Sequence, residues 1–179
     1  MKKRKKLLLI ITTLLLIGIL FWISYYDIKY YISSRQLVFW TNDVILKPAD
    51  FQGEIDLNSD SNLYYYYGLL IKSTFWQDVE IKAVFDKNKS WIKDNTDFNN
   101  QDELQQLTFD LYEIYANECT NRIKKMDYFN DSNKSFTDLR NLVKSMHKDL
   151  NIVVDSLQSP NQNLQNWRKK VDSLLTVNK

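Results

Sequence analysis

One histidine, His147, and one cysteine, Cys119, set the first limits on the chemistry this chain can perform. Hydrolytic zinc sites take two or three imidazoles, and a Ser-His-Asp triad needs one beside a nucleophile. Any site built on a His pair is therefore excluded. His147 is flanked by Lys148 and Asp149 and follows the apolar Met146, so it is expected on the solvated side of its helix. Cys119 has no partner for an intramolecular disulfide and reads as a small buried hydrophobe. No G-x-S-x-G elbow and no S-x-x-K nucleophile motif is present, and three glycines leave no phosphate-cradling loop.

Oxygen ligands are the remaining option. Asp110, Glu113 and Asn117 recur at helical spacing and could present a polar face to a hard cation. Calcium wants six to eight oxygens, often from a looping backbone, which a straight helix does not supply. A structural role is expected instead, with Asp110 bracing neighbouring loops. Asp56, Asn58, Asp60 and Asn62, and again Asp86, Asn88, Ser90 and Asp94, superficially follow a calcium-loop pattern. Neither series has glycine at its sixth position or ends in Glu, so turn-forming Asx chemistry is the expectation. Tyr64, Tyr65, Tyr66 and Tyr67 put two rings on each face of an extended segment, with Trp40, Trp76 and Trp91 as possible neighbours. Such rings form a peptide- or glycan-binding platform if exposed and a core if not.

Three longer elements carry a resemblance. The first is FWTNDVILKPADFQGEID, in which Asp50, Phe51 and Gly53 fit a W-x-D-F-x-G element whose Trp is replaced by Pro48. The second, VEIKAVFDKNKSWIK, has Ala83, Phe85, Ser90 and Trp91 in an A-x-F strand followed by S-W. The third is LQQLTFDLYEIYAN, residues 104–117. Together these resemble the bacterial family termed domain of unknown function 922, predicted secreted zinc-dependent proteases, over most of residues 37–175. The family's helix carries H-E-Q-x-H-F-D-x-x-E-x-x-A-R. Phe109, Asp110, Glu113 and Ala116 match it, while Leu104 and Thr108 stand at the metal-binding histidines, Gln105 at the general base and Asn117 at the arginine.

Residues four apart share a helix face, so H-E-x-x-H aims two imidazoles at one ion while the carboxylate between them activates bound water. Leu104 cannot ligate, Thr108 offers a weak neutral oxygen, and Gln105 has no proton affinity near neutral pH. The resemblance thus implies a zincin-like fold whose metal site is lost: no metal, no cofactor and no catalytic residue, with Leu104 filling the former cleft.

The elements that position these residues follow from hydrophobic period. LVFW at 37–40, the Tyr-rich stretch at 62–76 and VEIKAVF at 79–85 read as three or four strands, the last with Val79, Ile81, Ala83 and Phe85 on one buried face. From Asn100 the period becomes helical, predicting helices over about 101–126 and 135–158 and a third opened by Pro160 and Asn161. Ser135 and Asp138 resemble a capping box for the second. Strands followed by helices are an α+β order, here a small, mainly antiparallel sheet followed by three helices.

Residues 7–26 hold no charge over twenty positions, about 30 Å as a helix, and end in Phe21, Trp22, Tyr25 and Tyr26. They read as a transmembrane signal anchor rather than a cleaved signal. Lys2 to Lys6 form a basic cytoplasmic tail (1–6), residues 27–36 a solvated juxtamembrane connector, and residues 37–179 an extracytoplasmic domain. With those five charges set aside, 19 basic residues face 22 acidic ones from Asp27 onward, which argues against nucleic acid as a partner. The expected protein is a membrane-anchored, non-catalytic domain that binds or scaffolds an unknown protein or peptide near the bilayer. The alternatives are a hydrolase using Asp110 and Glu113, and a peptide- or glycan-binding module using the Tyr64–Tyr67 strand.

Overall fold

A central strand organises the molecule. The computed structural model describes residues 2–73, 79–94, 96, 102–125, 136–157, 159 and 163–177. Helix α1 (Lys2–Ser34) precedes strands β1 (Leu37–Phe39), β2 (Leu63–Tyr64), β3 (Tyr67–Ser73), β4 (Val79–Asp86) and β5 (Trp91–Ile92). Helices α2 (Asp102–Lys125), α3 (Phe136–Leu157) and α4 (Leu164–Val177) follow. The fold is α+β with two small antiparallel sheets, ordered β1-β4-β3 and β2-β5. Trp76, Met126, Ser135, Pro160 and Asn161, singled out in the sequence, lie outside the described residues.

Strand β4 lies between β1 and β3, with Val38 opposite Phe85 and Leu69 opposite Ala83. Its inward residues Val79, Ile81, Ala83 and Phe85 are buried as their alternation predicts. Val84 and Asp86 are buried as well, because β4 is central and both its neighbours shield it. The tyrosine run is not one strand. It divides between the two sheets at Tyr65 and Tyr66, where the Ser90 hydroxyl accepts the Tyr66 N–H at 2.9 Å and itself donates to the Asp86 carbonyl at 2.7 Å. The Tyr66 carbonyl takes the Asp86 N–H at 2.9 Å. A completely buried serine thereby replaces the ladder bonds lost between β2 and β3.

Helix α2 packs on β4 and is covered in turn by α3 and α4. Leu107, Phe109, Leu111, Ile114, Ala116, Cys119 and Ile123 are all buried, and they surround the helix rather than forming a narrow stripe, as befits a helix enclosed on several sides. Strand β1 ends too early to cover all of β4. Two side chains of α2 take its place: Thr120 accepts the Ile81 N–H at 2.8 Å, and the Glu113 carboxylate accepts the Ala83 N–H.

The expected transmembrane helix over residues 7–26 is corrected. Among the described residues no single helix is long and apolar enough to cross a membrane. Ile10–Tyr25 and Asp27–Ser34 reach that length and composition only together, across a 47° bend. The bend falls where the first charge, Asp27, follows the apolar run. Beyond it the expected connector is helical and docked: Tyr30 lies 6.0 Å from the Phe39 ring, and the Lys72 ammonium sits 5.4 Å above Tyr30.

Candidate functional site

Four side chains of α2 line one wall of a groove of about 690 Å3: Leu104, Gln105, Thr108 and Tyr112. These follow one another at i, i+1, i+4 and i+8 and so share a helix face. The facing wall comes from α3, where His147, Asn151 and Val154 step by four and three, and the floor is residues 61–67 with all four tyrosines. The three positions that the resemblance assigns to metal ligands and general base thus come together in one cleft.

What they do there is hold the cleft, not open it to a metal. Thr108 is 2% exposed and donates its hydroxyl to the Leu104 carbonyl at 2.8 Å. The Tyr67 hydroxyl reaches both the carbonyl and the side-chain oxygen of Gln105 at 3.3 Å. Leu104 packs against the core. No group of three or more His, Cys, Asp or Glu that could hold a metal exists among the described residues. The donor set does not fit zinc: one imidazole faces neutral oxygens, without a second nitrogen, thiolate or carboxylate.

His147 departs from expectation. It is half-buried and faces the groove rather than solvent, with its Nε2 3.4 Å from the Tyr112 hydroxyl and its ring edge-on to Tyr112. Burial pushes its pKa below the ordinary 6.5, so it is neutral at pH 7. Its position four after Val143 and three before Leu150, both buried, carries this signal, which the charged neighbours Lys148 and Asp149 obscure. The same spacing would have found Asn151, whose side-chain oxygen accepts from Tyr112 at 3.3 Å. Burial drives the Tyr112 phenol up to about 12 and that of Tyr67 well above its usual value.

The tyrosine run serves two purposes. Tyr65 and Tyr67 stack with each other and meet Phe85 edge-on, and Tyr67 continues onto Phe109 and Tyr112 as core. Tyr64 is 47% exposed and stacks on Trp91, while Tyr66 lies beneath the Lys89 ammonium at 4.3 Å.

Asp110 and Glu113 are not among the residues lining this groove. Two residues beyond Thr108, Asp110 lies ~200° round the helix. It is 3% exposed and accepts the Trp40 indole N–H at 2.8 Å, the Gln106 amide at 3.0 Å and the Arg168 guanidinium at 2.7 Å. The expected loop brace is therefore a junction of three elements. Glu113 caps the free edge of β4 through Ala83 and accepts from Asn117 at 3.1 Å. Burial raises its pKa against the opposing pull of those hydrogen bonds and of Lys82.

The remaining matched positions are structural too. Asp50 accepts the Lys47 N–H at 2.9 Å, closing the one-turn 3-10 helix Pro48–Asp50, and Phe51 meets Tyr65 and Phe85 edge-on. The Gly53 N–H donates to the Ser90 carbonyl at 2.8 Å. A Cβ at Gly53 would stand 2.8 Å from that oxygen and 2.9 Å from the Asn88 carbonyl, so no side chain fits. The Asx series form turns, with Asn58 N–H on Asp56 and Asn88 N–H on Asp86.

Compared with known proteins, the chain matches no family model, no curated protein and no solved structure. Its likeness to the family of domain of unknown function 922 accordingly rests on the residues quoted above.

Proposed function

We propose that this protein is a non-catalytic binding domain whose ligand occupies the groove between residues 61–67, α2 and α3. One observation carries the reading. The positions where the resembled proteases place their zinc ligands and base hold Leu104, Gln105 and Thr108, and all three line the largest cleft described. A groove of this size falls within the range that small-molecule and cofactor sites occupy. Its polar groups are neutral hydroxyls, amides and an imidazole, suited to orienting a ligand and unsuited to activating water. The hydrolase alternative loses support, since neither Asp110 nor Glu113 reaches the groove and each has a structural partner.

The test is metal content and turnover measured together. The full chain, dialysed against trace zinc and analysed by elemental mass spectrometry, is expected to retain less than one zinc per ten chains and to cleave no casein. Stoichiometric zinc with chelator-sensitive cleavage would overturn the reading.

A further inference from the structure

Among the described residues, the groove's lining contains no Asp, Glu, Lys or Arg. In a chain that is one-quarter charged, a lining of fourteen residues without a formal charge is a selective environment. A phosphate, carboxylate or ammonium seated against these fourteen side chains would lose hydration with none of them carrying an opposite charge, the Lys89 ammonium over Tyr66 lying outside the lining. The described lining therefore favours an uncharged ligand.

Two features narrow the class. First, the aromatic surface has an open part: Tyr64 is 47% exposed and is backed by Trp91, ring centroids 6.2 Å apart and nearly parallel. A flat, supported ring of this kind suits the C–H face of a sugar, which is apolar although its rim is hydroxylated. Second, Tyr112, His147 and Asn151 converge through contacts of 3.3–3.4 Å, at the long end of hydrogen bonding. Phenol, neutral imidazole and amide groups each donate and accept, as sugar hydroxyls do. Loose mutual contacts exchange readily for bonds to a ligand.

We infer that the groove binds a neutral glycan, one sugar face stacked on Tyr64 and its hydroxyls bonded to Tyr112, His147 and Asn151. This rests on the cleft being the binding site and adds the ligand's class. The experiment titrates the full chain with cellohexaose, with N-acetylchitohexaose and with an uncharged alanine–serine decapeptide at up to millimolar concentration, following intrinsic fluorescence. Saturable binding of a sugar is expected, weakened roughly tenfold by Tyr64→Ala and by Asn151→Ala at unchanged thermal stability. Both positions are exposed, so neither variant should fail to fold. Absence of sugar binding overturns the glycan assignment. If the peptide alone binds, and both variants weaken it, the class is wrong while the cleft stands. Sugar binding that neither variant changes overturns both.

Discussion

The two flanks of α2 are built on different physics. On the flank away from the groove, Asp110 joins Trp40, Gln106 and Arg168 through bonds of 2.7–3.0 Å, with formal charges matched. On the groove flank, Gln105 and Tyr112 make neutral contacts of 3.3–3.4 Å with Tyr67, His147 and Asn151. The first flank ties the segment after β1, helix α2 and the C-terminal helix into one framework. The second, apart from the Thr108 hydroxyl held by the Leu104 carbonyl, leaves its polar groups only loosely engaged. Of the positions compared with the resembled protease helix, Phe109, Asp110 and Glu113, which match, lie in the framework together with Asn117, which does not match, while Leu104, Gln105 and Thr108 line the groove.

The largest test of this contrast is Asp110→Ala. It strands the Trp40 indole N–H and leaves the Arg168 guanidinium with Asp172 as its one remaining carboxylate, and is expected to cost about 2–3 kcal/mol in urea unfolding. Ligand binding by the molecules still folded should be unchanged. Tyr112→Phe probes the other flank: losing a hydroxyl with only long contacts should cost below about 1 kcal/mol, read by the same unfolding curves. A loss as large as that of Asp110→Ala would erase the distinction.

The smallest effect concerns Glu113. Burial raises its pKa above 4.5, so between 4.5 and the raised value the folded chain binds more protons than the unfolded chain. Stability from this group is present below that window and falls as pH rises through it. Glu113→Gln keeps an oxygen for the Ala83 N–H and removes the titration. Its melting temperature should therefore gain slightly on wild type as pH rises above ~4.5, and the gain should vanish in more acid solution. A variant that loses stability at pH 7 would show that the charge itself supports the edge of β4.

Much of the framework was legible in the sequence. Helical period located α2 and α3 within a residue of each observed end, and alternation identified the inward face of β4. The groove was legible only in part. Leu104, Gln105 and Thr108 were placed by resemblance, but His147 was set in solvent because its neighbours' charges outweighed its spacing from Val143 and Leu150. The division of Tyr64–Tyr67 between two sheets depends on Ser90, some 24 residues away, and no local pattern encodes that bond. The bend in α1 escaped for a related reason. Composition fixes the length of the apolar run, whereas the docking of Tyr30 on the sheet is a tertiary event.

Gly53 bears on kinship. Helix positions such as 104 and 108 accept side chains of several kinds without disturbing the backbone. The approach of Gly53 to the Ser90 and Asn88 carbonyls allows no such freedom, since any side chain would meet main chain that cannot swing aside. Among chains that share this architecture, the phenylalanine–x–glycine turn should be the most constant local feature, whatever side chains line the groove.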